Sequence, residues 1–519
     1  MGEDGYVTLI SGLTAPGKGN NALLEYAIDG FTAYVSQQGQ ENLRKMSVSA
    51  YGKALDKLSD SQNKAFIISQ LELVGRDDAI SYLTGYLTNN ELADPAARAL
   101  VKINSSASKA TLLAALAKAN NTKAQLSVIE ALGHTKLQEA AQAIATLVRG
   151  SNQEALTKVG LFALANIADP SAENILSAAA TKNGFAYDNT NAVAAYLLYA
   201  QNLAQTGHQP AAGKIAKQLL EQVKATNQVH IRTAALKLLN EVSATEGNTY
   251  LLAALNDPQF QYRAAAIQFA LPSLTDETAN LWAKQINKAD TLTQVAIIGM
   301  LGESKKASVL PRVVKFFKHK NPSVKLAAIQ AAAKIGEDRV LADLFKVMAK
   351  GNEADINVVT QVILRMKGDG ITEKVSAFIP KAKPEVQVAL LSVLAARAAN
   401  DQLNTILALL NNKNDSVRKA AFAALKQTVT QQNLPKLFEL VNETSDQTAL
   451  VHLQDAIIAA VKDSKGSEAA VLQQMESSTT EKKPLFYKIL GSIGNVKSLA
   501  AVRNAFDQAS RVRRFSCLE

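Results

Sequence analysis

Reactive side chains at short spacing are few in this chain, and each grouping fails on a nameable residue. Gly12-Leu13-Thr14-Ala15-Pro16-Gly17-Lys18-Gly19 comes within one residue of a phosphate-cradling loop, with an apolar stretch at 6–10 before it. Such a loop sets backbone N–H groups and a Lys on phosphates and a Ser or Thr hydroxyl on magnesium. Gly19 stands where that hydroxyl belongs and no strand–helix alternation follows, so the stretch reads as a loop between helices and no cofactor is expected. The histidines are His134, His208, His230, His319 and His452; none is followed by Glu and no two stand four apart, so no metal set is assigned. Cys517 is the single cysteine, which excludes an internal disulfide and a Cys-based zinc site. The basic residues Arg511, Arg513 and Arg514 nearby would lower its thiol pKa. With no His beside it in sequence, it reads as an exposed thiol. No catalytic residue is assigned.

Two groupings point to binding instead. Lys305, Lys306, Lys315, Lys318, His319, Lys320 and Lys325 form the densest basic run, which counterion release would reward on a polyanion. Only Phe316 and Phe317 are interleaved, and they read as core rather than base-stacking residues, which argues against nucleic acid. Phe185, Tyr187, Tyr196 and Tyr199 crowd four aromatics into a short stretch of a chain that is only 5% aromatic. Tyr196 and Tyr199 share a helix face at i, i+3. Packing of a longer helix pair explains such a cluster; its functional alternative is a ligand patch for a sugar ring or partner peptide.

The elements that hold these residues recur along the chain. Units of the form Asp/Asn-Pro-x-x-Arg/Lys, Ala-rich helix, turn, second apolar helix appear at Asp94-Pro95-Ala96-Ala97-Arg98, at Asn321-Pro322-Ser323-Val324-Lys325 and, without the Pro, at Asn414-Asp415-Ser416-Val417-Arg418. Turn markers at Gly75, Asn104, Gly133, Ala168, Gly207, Ser243, Ser273, Gly302, Gly336, Gly368, Ala399, Thr428, Lys462 and Gly494 follow one another at roughly 29 to 39 residues, the span of two short helices with their turns. Within one unit Val324, Ala328, Ala331 and Ile335 fall on one face, with Lys325 and Lys334 off it. The Asn or Asp before Pro is expected to cap the helix start and Gly336 to supply a left-handed stop. Asp257 with Arg263, Asn321 with Lys325, and Asp415 with Arg418 are expected to form a polar ladder. One unit cannot bury its apolar face alone, so the units must stack into a superhelix with a long inner groove. Composition agrees: 47% hydrophobic and 20% charged residues with only 12 Pro describe a folded, helix-rich chain, and the net charge of +10 is thinly spread.

The strings Asn-Pro-Ser-Val-Lys-Leu-Ala-Ala-Ile and Asp-Ser-Val-Arg-Lys-Ala-Ala resemble the second helix of HEAT repeats, particularly the short PBS-lyase HEAT-like type, over about 60 to 497. The resemblance implies an all-α fold, a right-handed α-solenoid of about fourteen to fifteen helical pairs. Residues 1–59 would then be amino-terminal capping helices, 60–510 the solenoid and 511–519 a basic tail leading into a linker. Gly17-Lys18-Gly19-Asn20-Asn21, Glu25-Tyr26-Ala27-Ile28-Asp29-Gly30 and Tyr34-Val35-Ser36 are similar to bacterial exported proteins in which a HEAT array precedes a 3-keto-disaccharide hydrolase domain. That resemblance implies a glycan-processing context, export, and a catalytic domain beyond this chain. The Met1-Gly2 opening and the Leu518-Glu519 ending read likewise as a piece cut from a longer protein.

The expectation is a non-enzymatic scaffold whose partner is a protein or the missing carboxy-terminal domain of the same chain, with a glycan as an alternative ligand. The rivals are an enzyme of PBS-lyase type, which is an argument from fold alone, and a polyanion-binding solenoid. No apolar run is long enough to span a membrane.

Overall fold

A computed structural model describes residues 2–462 and 466–516, the side chains of 226 and 508–516 excepted. Every regular element among them is an α-helix or a 3-10 turn; no strand is present among the described residues. The chain is an all-α solenoid of stacked helical pairs, divided into two compact units, Met1–Ala270 and Leu271–Glu519.

In the first unit the helices Ser61–Val74, Ala93–Ile103, Thr122–Thr135, Glu154–Ile167, Ala192–Gln205, Val229–Val242 and Phe260–Ala270 form one layer, each packed on the next. Ser106–Lys118, Ala141–Gly150, Glu173–Lys182, Gln209–Gln222 and Ala244–Ala253 form the other layer, all but Ala141–Gly150 wedged against the two first-layer helices that flank them in sequence, and Ala141–Gly150 against Glu154–Ile167. The second unit repeats the scheme, with Thr291–Ser304, Pro322–Gly336, Glu353–Arg365, Pro384–Ala396, Asp415–Thr428, Gln447–Val461 and Lys483–Ile493 as its first layer. All fourteen turn markers fall within about a turn of the end of a first-layer helix.

The helix Pro322–Gly336 shows how a repeat is built. Asn321 accepts from the N–H groups of Ser323 and Val324, and Pro322 sits in the first turn, where a missing N–H costs nothing. Val324, Ala328, Ala331 and Ile335 are all buried. The stop differs from expectation: Gly336 has φ −95°, and Glu337 takes the positive φ of 48°. Gly336 is small for another reason, since a Cβ there would come within 3.0 Å of Leu310. Asp94 is also no cap; its helix already begins at Ala93, and Asn89 accepts from the Leu92 N–H instead.

Small residues set the layer spacing. A Cβ on Gly133 would lie 2.7 Å from the Ala163 Cα, and one on Gly302 2.8 Å from the Ala331 Cα, so in both units neighbouring first-layer helices meet backbone to backbone. A polar ladder does join successive repeats, with partners other than those expected. The Asp257 carboxylate pairs with Arg232 at 2.5 Å, while Arg263 donates to the Asp257 carbonyl oxygen. Lys325 reaches Asp355 of the next repeat at 2.9 Å because Asn321 is turned toward its capping bonds. Asp415 and Arg418 do pair at 2.7 Å, within one helix rather than between turns.

Ahead of the repeats lie the helices Glu3–Ser11, Ala22–Val35 and Glu41–Lys57. The phosphate-loop-like stretch connects the first two. Residues 6–10 are helical, with Tyr6, Val7 and Ile10 buried, so the strand such a loop requires is absent, and Thr14 is tied to Asn21 and Asn63. At the other end the helix Val496–Ser516 runs through 511–516, where the sequence suggested a tail. Cys517 lies outside the described residues.

Candidate functional site

The four aromatics singled out in the sequence do not come together as a surface. Tyr196 and Tyr199 are fully buried and Phe185 nearly so; only Tyr187, at 67%, is exposed. The Tyr199 hydroxyl donates to the Asp169 carbonyl oxygen at 2.9 Å and the Tyr196 hydroxyl to Gln218 Oε1 at 3.0 Å. Burial pushes both phenols up, which keeps them as neutral donors. Phe185 adopts φ 58°, and its carbonyl accepts from buried Gln228 at 2.9 Å. The lengthened repeat therefore buries three of its aromatics in the core and ties them by hydrogen bonds, and the patch of Phe185, Tyr187, Tyr196 and Tyr199 is replaced by one exposed ring.

A different surface forms on the exposed side of the first layer in the first unit. Its centre is a depression of about 380 Å³ between the helices Thr122–Thr135, Glu154–Ile167 and Ala192–Gln205, lined by Glu130, Lys158, Val159, Phe162, Ala194 and Leu198. Toward the amino terminus it adjoins one of about 320 Å³ that also takes in Glu130, with Asp94, Arg98, Lys102 and His134. Toward the carboxy terminus it adjoins one of about 490 Å³ that shares Leu198, with Gln201, Gln205, Lys237 and Glu241. The three are neighbours, meeting at Glu130 on one side and at Leu198 on the other. Phe162 is 40% exposed at the centre, with the His134 ring edge-on at 6.2 Å. Charge along the rim is mixed: Arg98 pairs with Asp94 at 3.3 Å and Lys237 with Glu241 at 3.7 Å. An apolar floor with a rim of both signs suits polypeptide better than a polyanion.

The sequence did carry a signal for Phe162. At equal distances before the left-handed residues Asn104, Lys136 and Ala168 stand Arg98, Glu130 and Phe162, so an aromatic occupies a surface position that two preceding repeats give to charge. The basic run lies in the second unit. Phe316 and Phe317 are buried, as their reading as core residues required, and Lys325 is engaged by Asp355. Among the described residues no three His, Cys, Asp or Glu side chains converge as a metal set, and no helix is long and apolar enough to cross a membrane.

A family model described as HEAT repeats matches residues 279–363 and 372–456. These two stretches resemble HEAT repeats. The matched segments span the helices from Asp276–Gln285 to Gln447–Val461 in the second unit, and the first unit by itself has the same two-layer scheme. No curated protein matches the chain in sequence. Among solved structures, importin beta in an ammonium sulfate condition is 11% identical over 98% of this chain and 81% of its own, with a TM-score of 0.40. The karyopherin Kap121p bound to the extreme C-terminus of the protein phosphatase Cdc14p is 11% identical over 96% of this chain and 66% of its own, at 0.45. The Kap95:Nup1 complex is 12% identical over 95% and 82%, at 0.42.

Proposed function

We propose that this HEAT-repeat chain is a non-enzymatic scaffold that binds a protein through the first-layer face centred on Phe162. The exposed Phe162 ring in the middle one of three neighbouring depressions carries the reading. Exposed aromatics in an apolar recess ringed by charge are where binding energy concentrates at protein interfaces. A partner segment would place an apolar side chain beside Phe162 and Leu198, with polar groups meeting Glu130 and Lys158. The partner is either a separate protein or a further domain of the same polypeptide.

Quantitative capture from the source cell tests this. Phe162→Ala combined with Lys158→Glu should deplete specific partners while leaving the melting temperature nearly unchanged, and Lys182→Glu, exposed on the other layer, should deplete none. Identical partner sets for all three proteins would refute the assignment of the face. A glycan-processing, exported setting rests on the strings within 17–36 alone. A coding sequence without a hydrolase domain beside this one would remove it.

A further inference from the structure

We infer that the second unit binds an extended acidic polypeptide along the edge where each second-layer helix turns into the next first-layer helix. Five successive turns bring a lysine to that edge: Lys288, Lys320, Lys350, Lys381 and Lys413, roughly 30 to 32 residues apart. All five are exposed, as are Lys318 and Lys383 beside them. Elsewhere in the unit Lys325, Lys334, Lys374 and Lys426 find carboxylates on neighbouring repeats. The edge lysines make no ion pair and no side-chain hydrogen bond among the described residues.

Helix dipoles alone do not account for the row. A cation is favoured at the carboxy end of any second-layer helix, so the dipole would bring lysine to this edge in both units alike. The comparison runs from four residues before each first-layer helix to its second residue. There the first unit has Lys57, Lys118 and Lys123 against Asp60, Glu91, Asp94, Glu154, Asp188 and Asp257. The five turns of the second unit have the seven lysines against Asp290, Glu353, Glu385 and Asp415. Of these acids, Asp290 caps its helix and Asp415 is held by Arg418 and Lys419. The next turn, with Glu443 and Asp446, ends the row.

Spacing and charge together select the ligand. Packed helix axes lie about 8–10 Å apart, and an extended polypeptide covers that distance in about three residues. A carboxylate at every third position therefore meets one lysine per repeat. A nucleic acid fits less well, because its charge is continuous, one per about 1.7 Å of duplex axis, and would be driven onto Glu353 and Glu385, exposed on the same edge. A single strand would also need rings to stack on, and Phe316 and Phe317 are buried. A polypeptide can set uncharged residues opposite the two glutamates. Each exposed pair contributes little, so binding is weak, spread over the five turns and screened by salt.

Fluorescence anisotropy on the full chain at low salt tests this with a labelled peptide of five Gly-Ser-Glu triplets. That peptide should bind, and one with its five glutamates contiguous, which spans about 17 Å of charge and so reaches two lysines, should bind at least about threefold more weakly. Lys320→Glu with Lys350→Glu should weaken the triplet peptide about tenfold or more at unchanged melting temperature. Lys305→Glu with Lys367→Glu makes the same charge change at the carboxy ends of first-layer helices, on the opposite edge, and should weaken it less than about twofold. Absence of binding at low salt, equal loss in the two double variants, or a contiguous peptide that binds as well as the triplet one would each overturn the proposal. So would an oligothymidylate of equal charge that binds more tightly than the triplet peptide. Should Lys320→Glu with Lys350→Glu unfold, Lys381→Glu with Lys413→Glu decides the same question.

Discussion

Two glycines in one helix should respond to the same substitution with opposite signs. Gly299 and Gly302 both lie in Thr291–Ser304, so replacing either by alanine gains the same intrinsic helix preference, about 1 kcal/mol. A Cβ on Gly299 would meet nothing within 4 Å, whereas one on Gly302 would lie 2.8 Å from the Ala331 Cα and 2.9 Å from its Cβ. Those distances cannot be relieved by a rotamer, because the obstacle is the backbone of Pro322–Gly336; the helices must move apart, and overpacking of this kind costs about 1–3 kcal/mol. Helix preference cancels between the two variants, so their stability difference isolates that steric cost. Gly299→Ala should stabilise, and Gly302→Ala should stand about 1–3 kcal/mol below it. A repeat array need not unfold in one step, so the readout should be local. Hydrogen exchange over 291–336 should run roughly 5- to 150-fold faster in Gly302→Ala than in Gly299→Ala. Equal protection in the two would refute the claim that adjacent first-layer helices touch at this glycine.

The buried face of a repeat is tested by Ile335→Asp, which places an unpaired carboxylate at a site 3% exposed and should cost about 3–5 kcal/mol, opening its own repeat and its neighbours. Lys334→Asp removes only an exposed ion pair to Glu303, and equal melting shifts in the two variants would remove the face assignment. Acid sensitivity has a defined contributor in the first unit. Burial raises the Asp78 carboxyl, but hydrogen bonds from the Arg44 guanidinium and the Arg76 N–H outweigh it, and the net shift is downward. A lowered folded pKa means the stabilisation is complete above the unfolded value of about 3.9 and is lost as pH falls through the folded one. Asp78→Asn should therefore lose stability at neutral pH and fall less steeply below about pH 4; parallel melting curves against pH would discount this pairing.

The repeat, the helix faces and the Asn321 cap were legible in the residues because they are local. Val324, Ala328, Ala331 and Ile335 lie within one helix, and Asn321 caps the N–H groups of residues two and three places on, so spacing alone specifies them. The stacking offset between repeats is not local, and everything that depends on it was decided by the tertiary structure. Lys325 finds Asp355 and Arg232 finds Asp257 only once neighbouring repeats are in register. The same offset determines whether a glycine is a stop or a contact: Gly133 and Gly302 admit a neighbouring backbone, Gly336 admits Leu310, and the left-handed turn passes to Glu337. Aromatic scarcity marks Tyr196 and Tyr199, yet burial depends on what faces a helix, and theirs faces Gln218 and the Asp169 carbonyl in the core. Phe162, alone among charged equivalents, stays outside because its helix presents that position to the open side of the layer. Sequence thus determined which residues form helices and which side of each is apolar. Packing determined which apolar residues the stack leaves uncovered, because that is settled by the neighbouring helices rather than by the residue's own.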